Sequence, residues 1–149
     1  MSPKEKAKQT DQILSTLVTV STASYNEMLD YIAGFGTAYN ADNLISYSKT
    51  AIADGYDYLD GIEDLPDQEN SADYQDAADA YITNVLAAWI SLRDYLEDGD
   101  QEKYDHLKGC VQVERVYSEQ FSEQRINYLT NAGFTEQEIN DLLSTSSAG

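Results

Sequence analysis

The chain has 149 residues, with 27 Asp and Glu against nine Lys and Arg, a formal net charge of −18 and one cysteine. That length suits one domain, which buries enough surface to fold without a metal, and a single cysteine excludes an intramolecular disulfide. The charge excludes direct nucleic-acid binding, because nine scattered cations cannot neutralise a run of phosphates.

No run of 18 apolar residues exists, so no transmembrane helix is expected. The start is basic, but Thr, Ser and Asp interrupt the stretch from Ile13 to Ala23, unlike the apolar core of a signal peptide. The chain fits two compartments: the cytoplasm, or the extracytoplasmic side with a signal peptide removed.

Helical periodicity dominates, and no segment alternates as a strand. The first helix carries Leu14, Leu17, Val18, Tyr25, Met28, Ile32, Phe35 and Tyr39 at steps of three and four. Gly34 and Gly36 weaken its end, so it stops near residue 34 or runs to about 39. The second repeats at Ile45, Ser48, Ile52, Gly55, Leu59 and Ile62, with Asp42 or Asn43 as N-cap and Pro66 beyond its end. The third repeats at Tyr74, Ala78, Tyr81, Val85, Ala88, Leu92 and Tyr95, with Ser71 as N-cap. Gly99 stands where a left-handed residue closes a helix, and Asp100 caps the next. The fourth repeats at Tyr104, Leu107, Val111, Glu114, Ser118, Phe121, Arg125 and Tyr128. Thr135 to Glu138 form a capping box ahead of Ile139, Leu142 and Leu143, with Phe134 as a hydrophobic staple. The short links predict an all-α fold: an antiparallel up-and-down four-helix bundle with a short fifth C-terminal helix. It forms a single domain over residues 1–149, with 1–10 and 144–149 as loose tails.

Between Lys49 and Arg93 there is no Lys or Arg, and ten acids fall between residues 54 and 79. Asp54, Asp57, Asp60 and Asp64 share one arc of the second helix, Asp67 lies in the link, and Asp73, Asp76 and Asp79 share a face of the third. Like charges at helical spacing repel by a few tenths of a kcal/mol per pair, so this arrangement is not optimal for stability alone. It reads either as a solvated face or as an acidic pole that docks a basic protein or weakly bound divalent cations. No EF-hand is present, since Lys103 stands where the glycine after Asp98, Asp100 and Glu102 belongs.

Catalytic motifs are missing. One histidine, His106, cannot supply a di-iron set, and a zinc site from His106 and Cys110 lacks further ligands. Cys110 lies at the edge of an apolar face, which favours a packed thiol. No phosphate-binding glycine loop or nucleophile elbow occurs, so no cofactor and no enzyme activity are expected. The polar seam of the fourth helix has two readings. Either the helix is rotated, with Cys110, Tyr117, Phe121 and Tyr128 inward and Glu114 and Arg125 at the boundary, or Glu114, Ser118 and Arg125 line an interior pocket with tyrosines such as Tyr25, Tyr81 and Tyr95. Trp89 with Ile90 reads as a modest apolar patch for a partner or for a homodimer.

Three functions remain. The first is a non-catalytic interaction domain using the acidic pole or the tyrosine-rich sides. The second is an acidic decoy occupying a basic nucleic-acid-binding cleft, and the third a small-ligand sensor with a Tyr/Glu/Arg-lined interior.

Overall fold

A computed structural model of the chain describes residues 1–65 and 70–146. Five helices follow one another: α1 (Pro3–Ala33), α2 (Ala41–Glu63), α3 (Ala72–Asp98), α4 (Gln101–Asn131) and α5 (Glu136–Ser146). They form a helical bundle with no strand among the described residues.

Local chemistry sets most boundaries. Ser2 accepts a hydrogen bond from the Glu5 amide at 3.1 Å, and Pro3 opens α1 with its dihedral already fixed. Residues 3–10 are therefore helical, not a loose tail, and Ala7 and Thr10 are buried. α1 stops at Ala33, so Phe35 lies outside the helix and is exposed instead of continuing the seam. Asn40, not Asp42 or Asn43, caps α2, and it exchanges reciprocal side-chain bonds with Asn43. Ser71 precedes α3 without a capping side-chain bond. Gly99 ends α3 at φ 69°, and the Asp100 carboxylate accepts from the Glu102 amide. The capping box of α5 forms between Thr135 and Glu138. Glu138 also meets Lys4 at 2.9 Å, and Lys4 lies over the Phe134 ring, which joins the first turn of α1 to α5.

α3 is the central helix and packs on α1, α2 and α4. Its buried positions, Tyr74, Ala78, Tyr81, Ile82, Val85, Leu86, Ala88, Trp89 and Leu92, cover a broad arc. One narrow stripe would serve a single neighbour; this arc serves three. α2 approaches closely through Gly55, where a Cβ would stand 3.0 Å from Leu86. Trp89 is 1% exposed and donates its indole N–H to Ser24 at 2.9 Å, so the apolar patch expected at Trp89 and Ile90 is not a surface feature.

α4 differs from the other long helices. It buries Leu107 and Cys110 near one end and Phe121, Arg125, Tyr128 and Leu129 near the other. Between Cys110 and Phe121 none of its residues is fully buried. With no apolar stripe there to draw it onto α1, the two helices stand apart and leave a groove.

Candidate functional site

The most buried charge among the described residues lies beside that groove, whose lining includes Arg125. Asp11 and Arg125 have side chains 1% and 8% exposed. The guanidinium donates to both carboxylate oxygens, at 2.7 and 2.9 Å. Tyr74 donates its hydroxyl to Asp11 at 2.6 Å, and the carbonyl of Leu142 accepts from Arg125 at 3.4 Å. Four helices thus meet at one carboxylate and one guanidinium. Burial, with the Asp11 charge beside it, pushes the Tyr74 phenol far above its ordinary range and keeps it a neutral donor. Sequence reasoning missed Asp11, which lies between the expected N-terminal tail and Leu14, the first residue of the apolar seam. Its only cue was a lone acid among Thr10, Leu14 and Ser15, which are also buried.

From this ion pair a groove of about 540 Å³ runs between α1 and α4, with α5 at one side. Hydroxyls from Ser15, Thr19 and Thr22 on α1 and Ser118 and Ser122 on α4 line it, interleaved with the apolar Val18, Ala23, Phe121 and Leu143. The structure therefore brings Ser118 and Arg125 to one groove. Tyr81 stands behind it and accepts a hydrogen bond from Thr22 at 2.9 Å. Burial pushes the Tyr81 phenol up to about 12, against the lowering effect of that bond. Glu114 lies near Tyr25 and Tyr81, whose phenols its charge raises further, while partial burial raises its own carboxyl. Tyr95 does not join this group. It packs on Tyr104 at 5.1 Å beside the α3–α4 turn, at the end of α3 remote from Tyr74.

The acidic residues occupy a different surface. Asp54, Asp57, Asp60 and Asp64 are exposed on α2, and Asp73, Asp76 and Asp79 on α3. Both sets point away from the buried faces of their helices. Asp67 lies outside the described residues. None of the seven described aspartates pairs with a Lys or Arg of the described chain.

The nucleophile candidates sit apart from both surfaces. Cys110 is buried, and burial pushes its thiol up. His106 is exposed; its Nδ1 stands 2.6 Å from the Ser91 hydroxyl and 4.0 Å from the Cys110 sulfur. The contact with Ser91 joins α3 to α4, while the contact with Cys110 lies within α4. Among the described residues, no three or more His, Cys, Asp or Glu side chains are grouped so that they could hold a metal ion. No helix among them is long and apolar enough to cross a membrane.

Comparison with protein-family models, with curated proteins and with solved structures finds no match to this chain.

Proposed function

We propose that this chain is a non-catalytic binding domain that meets a basic protein partner on the outer faces of α2 and α3. The observation that carries the reading is the set of seven exposed aspartates on those faces, none paired with a cation of the described chain. Intramolecular pairing would quench such a field; leaving it open costs a little stability and raises the encounter rate with a cationic surface. The burial of Cys110, which pushes its thiol up and away from the reactive thiolate, supports the non-catalytic part of the reading.

The test compares two variants of equal charge. One carries Asp60→Asn, Asp64→Asn and Asp76→Asn; the other carries Glu5→Gln, Glu123→Gln and Glu136→Gln, at exposed positions on other helices. A deca-lysine peptide serves as probe, with affinity measured from low to physiological salt. The aspartate variant is expected to bind roughly threefold more weakly than the glutamate variant at low salt. Equal losses in the two variants would reduce the effect to net charge and overturn the reading.

A further inference from the structure

A second opening, of about 300 Å³, lies between α1 and α2. Its aromatic lining is Tyr31, Tyr47, Tyr58 and Trp89, and the acidic residues Glu27 and Asp54 stand in the same wall. The rings are held from behind. Tyr31 and Tyr47 stack at 4.7 Å with planes 28° apart, and Tyr31 lies 6.3 Å from Trp89. Tyr39 braces both tyrosines edge-on, at 5.0 and 6.2 Å, from the loop that the Asn40 cap fixes at the start of α2. The bond from Trp89 to Ser24 fixes the indole. Ordering costs for a ligand are therefore small, because the rings are already in place.

Glu27 and Asp54 are exposed, and neither pairs with a Lys or Arg of the described chain. Both carboxylates raise the phenol of Tyr58, after burial, and Glu27 does the same to Tyr31. The two acids and the phenols thus share one local field. Aromatic faces are themselves negative, so rings and carboxylates act in the same sense. An anion is repelled here. A neutral apolar guest would desolvate the carboxylates with nothing in return. A hard metal ion needs more oxygen ligands than two acids supply. A small organic cation satisfies every wall at once: its alkyl groups contact the rings and its charge meets the carboxylates. The volume is at the lower end for small-molecule sites, which fits a ligand of a few heavy atoms.

We propose that this cleft binds a small quaternary ammonium compound through Tyr31, Tyr47 and Tyr58, backed by the buried Trp89, with Glu27 and Asp54 as counter-charges. The site shares Asp54 with the outer acidic face and is otherwise built from different residues. The probe is choline, titrated into the whole chain and followed by calorimetry and by the emission of Trp89, the single tryptophan. The neutral carbon isostere 3,3-dimethylbutan-1-ol is titrated in parallel, as is an N-acetyl-lysine-amide carrying an unmethylated ammonium. Choline is expected to bind saturably and the isostere not at all. Glu27→Gln, Asp54→Asn and Tyr47→Leu should each weaken choline roughly two- to fivefold. The Asp60, Asp64 and Asp76 triple variant should leave choline binding unchanged, which separates this site from the protein-binding face. Equal binding of the isostere, tighter binding of the lysine amide, or no heat and no emission change with choline would each overturn the proposal.

Discussion

Arg125 grips both carboxylate oxygens of Asp11, at 2.7 and 2.9 Å, across 114 positions of sequence. Tyr74 completes the arrangement from α3 and the Leu142 carbonyl from α5. A buried pair of this kind contributes little net stability against an apolar replacement, but breaking it strands a charge. Asp11→Asn or Arg125→Met alone should therefore cost about 3–5 kcal/mol. The triple variant Asp11→Leu, Arg125→Met, Tyr74→Phe removes every member together and should be more stable than either single variant. Urea denaturation of the three proteins checks this. A triple variant as weak as the singles would show that the cluster stabilises by its own interactions.

Glu114 gives a pH signature. Partial burial raises its carboxyl above the ordinary 4.5, so the folded chain holds this proton more tightly than the unfolded one. The stability it contributes is then fully present below 4.5 and is lost as pH rises through the folded value. Glu114→Gln cannot ionise, so it should melt higher than the parent at neutral pH, and the gap should close as the pH falls below that value. Melting curves of both proteins from about pH 4 to about pH 7 decide the matter. A gap that does not change with pH would mean that desolvation is not the cause.

Two glycines at either side of the α3–α4 turn should respond in opposite senses. Gly99 has φ 69°, and alanine there is strained whatever the space around it. Gly109 lies inside α4 with a negative φ, and an added Cβ meets nothing within 4 Å. Gly99→Ala should cost about 1 kcal/mol, and Gly109→Ala should add about as much by restoring helix propensity. Thermal unfolding of the pair reads both signs in one experiment.

The acidic surface predicts a salt response. Repulsion among Asp54, Asp57, Asp60 and Asp64 acts through solvent, so it is screened when the Debye length falls from about 30 Å at 0.01 M salt to a few Å near 1 M. The melting temperature should rise over that range. Asp60→Lys should raise it at low salt by relieving like-charge contacts one turn away, and should flatten the rise. An equally steep rise in the variant would point to salting-out of apolar surface instead.

The helices, their order and several of their ends were legible from local features. Apolar spacing of three and four marks which face is buried, and Gly99, Asp100 and the Thr135–Glu138 box act within a few residues of themselves. Arg125 stood out as a polar residue on an apolar seam, but periodicity left it either at the boundary or inside, and its partner gave no sign. Asp11 is far away in sequence, and nothing in its neighbourhood distinguishes a buried acid from an exposed one until α1 lies against α4. The same holds for Tyr95, which shares the α3 seam with Tyr74 and Tyr81 yet belongs to the opposite end of the bundle.

What the amino-acid order determined by itself is the all-helical fold, the acidic faces of α2 and α3 and the caps of α4 and α5, because each depends on periodicity or on contacts a few residues apart. Only the tertiary structure decided the Asp11–Arg125–Tyr74 cluster, the hydroxyl-lined groove and the ring-and-carboxylate cleft. Each of these needs residues from two or more helices. Their closeness is set by how tightly the helices pack: where the apolar stripe of α4 lapses between Cys110 and Phe121, the bundle opens, and no local pattern states what will line the gap.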